Sequence, residues 1–111
     1  ANSLRQSRFI PAVEYLQANR QRTALIEKMN ALLSRYDVIV ATAEGFNLSM
    51  ATNLTGHPAI SLPTGLDKRG RPTSVVLYSN LYDEGTLLEA AFLFQQASGF
   101  HQLRPKMFSE N

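Results

Sequence analysis

A chain of 111 residues that is 44% hydrophobic and 18% charged, with a formal net charge of +2, has the make-up of one globular unit and excludes a coiled coil or a disordered tail. It holds no Cys, which excludes a disulfide framework, a thiolate metal site and a cysteine nucleophile. No apolar run approaches the roughly 20 residues of a spanning helix and the N-terminus has no signal-peptide pattern, so the sequence reads as soluble and cytoplasmic, with no membrane partner.

The charge is unevenly spread. Residues 1 to 36 hold six Lys or Arg against two acids, and residues 37 to 111 hold five against seven. Arg5, Arg8, Arg20, Arg22, Lys28 and Arg35 lie along a helical pattern without interleaved aromatics, which is the pattern of a solvated face, and no nucleic-acid partner is expected.

Pro11 can open a helix at its first turn, and the stretch from Pro11 to Tyr36 places Val13, Leu16, Ile26, Met29, Leu33 and Tyr36 at three-to-four spacing. That spacing predicts a long amphipathic helix. "DVIVAT", residues 37 to 42, is a short β-branched run that predicts a buried strand, with Gly45 just beyond as a stop. Residues 46 to 55 can form a short helix, which Gly56 ends as a left-handed residue and Pro58 cannot continue. His57, ahead of that proline, is held to extended backbone and reads as a turn residue. "AISLPTG" and "RPTSVVLYSN" are two strands separated by "GLDKRG", an exposed turn that makes them an antiparallel hairpin.

"YDEGTLLEAAFLFQQASG" predicts a second long helix, with Leu87, Leu88, Ala91, Phe92 and Phe94 or Gln95 on or beside one face. Asp83 and Glu84 suit the positive end of its dipole, Gly99 ends it, and "FHQLRP" follows as a strap. The fold class is α/β: a small mixed sheet of about three strands including the hairpin, flanked by two long helices and one short helix. The apolar runs "DVIVA" and "SVVLY" predict strands buried on both sides. Three strands and two long helices leave edges or faces of such a sheet to be covered by other chains, so an isolated chain is expected to be a homo-oligomer.

Catalytic constellations are few. A Ser nucleophile needs a base in hydrogen-bond reach and preorganised donors for the oxyanion, and the sequence has no Gly-x-Ser-x-Gly elbow and no Ser-x-x-Lys pair. Ser61 lies inside a predicted strand as a buried or half-buried residue; strand geometry puts it roughly 13 Å from His57, too far for a dyad. His57 and His101 have no carboxylate or second His at helical spacing, so no metal site is expected, and no glycine loop cradles a phosphate or implies a cofactor.

"NLTGHPAISLPTG", followed by "GRPTSVVLYSNLYDEGTLLEAAFLFQQASGFHQLRP", resembles the C-terminal part of amidase signature enzymes. The upstream "YLQANRQRTALIEKMNALLSRYDVIVAT" is similar to the Arg-rich helix and Asp-Val strand that precede that turn in the family, so the likeness covers about residues 7 to 108. It implies that residues 1 to 111 are one segment of a larger amidase signature fold, and an amide hydrolase whose Ser, cis-Ser, Lys triad lies in the family's N-terminal part. Lys28, Lys68 and Lys106 match no catalytic position, so no catalytic residue is assigned here. Ala41 stands where many relatives have Pro, and the loop "TAEGFN" can take its own course. By position in the family, Phe46 and Asn47 are the residues that would face substrate, a small-molecule amide. Two functions are expected from this: a C-terminal portion of an amidase, silent without its N-terminal part, or a non-catalytic binding or assembly module on the same scaffold.

Overall fold

The computed structural model of the chain describes residues 5–42 and 48–103. After a short 3-10 turn at Ser7–Phe9 come helix α1 (Ala12–Leu33), strand β1 (Ile39–Thr42), helix α2 (Leu48–Thr55), strands β2 (Ala59–Leu66) and β3 (Pro72–Tyr78), helix α3 (Glu84–Ser98) and a closing 3-10 turn at Phe100–Gln102. The described strands form one sheet in the order β1-β3-β2, with β3 antiparallel to both neighbours. The α/β class and the hairpin stand, but the sheet is antiparallel rather than mixed. β1 and β2, which run parallel to each other, take opposite edges and so do not pair.

Pro11 precedes the first turn of α1, and its carbonyl accepts the Tyr15 N–H at 3.1 Å. The helix stops at Leu33 instead of reaching Tyr36: the N–H groups of Arg35 and Tyr36 reach back to Leu32 and Leu33 in a tightened last turn. Of the six residues expected on one apolar face, Met29 and Leu33 are buried and Ile26 half-buried, whereas Val13, Leu16 and Tyr36 are exposed. The reason is angular. At 3.6 residues per turn Val13 lies about 160° around the axis from both Met29 and Leu33, so three-to-four spacing in each half does not add up to one stripe.

α2 ends as the sequence predicts. Gly56 has φ +84°, and the N–H groups of Gly56 and His57 both turn back to the Thr52 carbonyl, at 2.7 and 3.2 Å. A Cβ there would meet only Leu81 Cδ2, at 3.9 Å, so Gly56→Ala is expected to cost about 1 kcal/mol through the left-handed backbone alone. A change of urea midpoint by several times that value would refute this account of the corner.

The core sits between α3 and the hairpin. Leu87 and Ala91, one turn apart on α3, bury against Leu62 of β2 and Leu77 of β3, with Ile60, Val75, Ala90 and Phe94 packed around them. Leu88 and Phe92, one position further round, are exposed. Leu77 and Tyr78 are consecutive, hence on opposite faces, and both buried, so β3 is covered on both sides at this end. β1 is not: its residues alternate in exposure, and Val40 is 63% exposed, because β1 is a sheet edge. The described residues span 60 × 38 × 21 Å with a radius of gyration of 18.3 Å, against about 13 Å for a compact chain of this size. The apolar first part of the chain, with Phe9, Ile10, Val13, Tyr15 and Leu16, stands exposed.

Candidate functional site

The residues that drew attention in the sequence fall at two places. The first is the corner between α2 and β2. His57 precedes the strand instead of sitting in it and is buried. Both ring nitrogens are engaged: Nδ1 lies 2.7 Å from Thr55 Oγ1 and Nε2 lies 3.0 Å from Asn30 Oδ1 on α1. Because a carboxamide oxygen only accepts, Nε2 carries the proton and donates to Asn30, and Nδ1 accepts from the Thr55 hydroxyl.

Hydroxyl, imidazole and amide in a row have the distances of a nucleophile, its base and the base's orienting group. Two facts remove that reading. Thr55 and His57 are 3% and 5% exposed, leaving no approach for a substrate, and the Ala51 carbonyl of its own helix, 2.9 Å from Thr55 Oγ1, competes with Nδ1 for the single hydroxyl proton. Burial pushes the His57 pKa below its ordinary value, so the ring is held neutral as a structural group. Asn30 had no signal in the sequence, being 27 positions from His57 on a different element. Ser61, expected to be buried or half-buried, is exposed because β2 forms the other sheet edge. Among the described residues no group of three His, Asp or Glu could hold a metal ion, and no helix is long and apolar enough to cross a membrane.

The second place is the end of the sheet where β1 finishes. Phe46 and Asn47 lie outside the described residues; their flanks are Thr42, the last residue of β1, and Leu48, the first of α2. Thr42 borders a groove of about 690 Å³ whose other walls include Thr64, Asp67, Arg71 and Thr73. The hairpin turn builds that wall. Asp67 Oδ1 accepts from the backbone N–H groups of Arg69 and Arg71, and Oδ2 accepts from Arg71 Nε at 2.7 Å. The hydrogen bond from the Arg71 backbone, then that from its side chain, hold the Asp67 carboxyl below the usual carboxylate range. Across the hairpin the Thr64 hydroxyl donates to Thr73 Oγ1 at 2.9 Å. This surface offers hydroxyls and one guanidinium for hydrogen bonding, but no nucleophile paired with a base.

Comparison with known proteins adds what the geometry lacks. No family model matches the chain. The A-type subunit of glutamyl-tRNA(Gln) amidotransferase from Brevibacillus brevis is 31% identical over 83% of this chain and 23% of its own length; its counterpart from Rhodopirellula baltica is 46% identical over 57% of this chain and 13% of its own. A solved amidase family protein of Bacillus anthracis superposes with a TM-score of 0.75 at 19% identity, over 90% of this chain and 20% of that one. The chain is homologous to the C-terminal part of amidase signature proteins. It spans less than a quarter of the curated relatives' length, and the fold of the solved amidase family protein accommodates its sheet and helices.

Proposed function

We propose that this chain is the C-terminal portion of an amidase-type hydrolase acting on carbon–nitrogen bonds, one segment over residues 1 to 111, and that it is catalytically silent by itself. The observation that carries the reading is the 31% identity along 83% of the chain to a glutamyl-tRNA(Gln) amidotransferase component, joined to a fold shared with an amidase family protein. Its chemistry agrees: the one described hydroxyl–imidazole pair is sealed from solvent. The N-terminal part of such an enzyme would bring the Ser, cis-Ser, Lys triad and would cover the exposed apolar face formed by Val13, Leu16 and their neighbours. Without it, that face favours association between copies of the chain. Phe46 and Asn47 would form a wall of the amide pocket, and the enzyme would work in the cytoplasm.

The test is an assay of the chain with a simple aryl amide between pH 7 and 9. No turnover above buffer is expected, and turnover abolished by Ser61→Ala would overturn the reading. In the longer protein, reached by extending the reading frame upstream of Ala1 to a Gly- and Ser-rich segment, Phe46→Ala and Asn47→Ala are expected to raise KM. A stop codon immediately upstream would favour the assembly module instead.

A further inference from the structure

α2 is an unusual helix for its position. Its buried residues are Thr52 and Thr55, while Met50 and Leu54 are exposed, so no fully buried apolar side chain fastens it. The hydrogen bonds that join it to α1 come from polar side chains of α1 and of the corner after α2. Arg22 Nε donates to the Leu54 carbonyl at 2.6 Å, satisfying an acceptor in the last turn of α2, and His57 Nε2 donates to Asn30 Oδ1 at 3.0 Å just past that turn. Thr55 then ties the imidazole to the helix by its hydroxyl.

We propose that Asn30, Thr55 and His57 are positioning residues forming a proton-sensitive latch that docks α2 onto α1. The latch stands on the described corner between α1, α2 and β2 and does not depend on the amidase reading.

The groups around His57 explain the sensitivity. α2 and β2 contain no charged residue. On α1, Arg22 is engaged with the Leu54 carbonyl, and Glu27 and Lys28, the charged residues closest in sequence to Asn30, are exposed. On the loop before α3, the Asp83 carboxylate accepts from the Thr86 hydroxyl, and β3 contributes Tyr78, a buried phenol. None of these gives the imidazolium a carboxylate partner among the described hydrogen bonds and ion pairs. A second proton, on Nδ1, would be donated to Thr55 Oγ1 while the hydroxyl turns to the Ala51 carbonyl, leaving a buried cation that has hydrogen-bond acceptors but no counter-charge.

Burial lowers the His57 pKa from 6.5, so between that value and the folded one the opened form binds a proton that the docked form does not. Docking is fully favourable above pH 6.5 and weakens as the pH falls below it, levelling off once the folded pKa is passed.

The experiment is amide hydrogen exchange on the chain at a series of pH values, corrected for intrinsic rates. Protection of residues 48–55 is expected to fall as the pH drops below 6.5 and then to level off, with the β2–β3 hairpin retaining its protection. Asn30→Asp, which places a carboxylate on Nε2, should abolish or reverse the loss, and His101→Gln, at an exposed histidine, should leave it unchanged. Protection of α2 that does not respond to pH, or that disappears together with the hairpin, overturns the latch. So does an Asn30→Asp variant that loses protection on acidification as the parent does. Because the readout is exchange and not turnover, a failed amidase reading leaves the result interpretable.

Discussion

Leu77→Ala is expected to lower the free energy of unfolding by about 2–5 kcal/mol. Leu77 lies on β3, the only strand with a neighbour on each side among the described residues, pairing with Val40 of β1 and Ile60 of β2. Its side chain is 5% exposed within the cluster of Leu62, Leu87 and Ala91. Truncation removes contacts to both hairpin and helix, and the paired backbone on either side limits how far the void can close. Against a total stability of roughly 5–15 kcal/mol for an ordinary domain, this is a large fraction. Val40, opposite it in register on the edge strand, is 63% exposed, and Val40→Ala should cost less than about 1 kcal/mol. Equal shifts of the urea midpoint in the two variants would show that the core does not lie between α3 and the hairpin.

Gly65→Ala is expected to cost about 2–4 kcal/mol, from two separable sources. The residue sits at φ +110° beside the irregularity in the β2–β3 ladder between Pro63 and Gly65, a backbone that an L side chain resists. A Cβ there would also come within 3.4 Å of Phe100 Cε1, pressing on the ring that closes over β2 after α3. Gly70 provides the comparison, with φ +74° and nothing within 4 Å of the added atom, so Gly70→Ala should show the backbone cost only. Calorimetric melting of the two variants and of Gly65→Ala with Phe100→Ala separates the terms. If Gly65→Ala and Gly70→Ala melt alike, Phe100 does not press on the bulge.

Most elements were legible because their signals are local. Pro11 opens α1, Gly56 and Gly99 stand in left-handed backbone at the ends of α2 and α3, and the Asp67 turn joins two β-branched runs into a hairpin. Burial was less legible. Val13 and Leu16 have the spacing of a core face and lie exposed, and Ser61, placed inside the sheet, is exposed too. Periodicity reports which residues share a side within a few turns; it does not report whether anything covers that side. The candidate site divided in the same way. Phe46 and Asn47 follow from family resemblance and lie outside the described residues, whereas Asn30 and Arg22, which hold α2, became visible only as partners of His57 and Leu54.

The sequence by itself determined the order of helices and strands, the positions of their stops, the hairpin and the kinship with amidases, because each depends on a short run of neighbouring residues or on an ordered set of such runs. Only the tertiary structure decided that the last strand in sequence is central in space, leaving β1 and β2 as edges. That arrangement follows from α2 carrying the chain from the β1 edge to the other side of the sheet before the hairpin returns β3 between them. It also decided the role of His57, whose chemistry depends on what seals and bonds its ring. A histidine with both nitrogens satisfied in a sealed corner is a neutral tie between helices, and no spacing along the chain distinguishes it from a base.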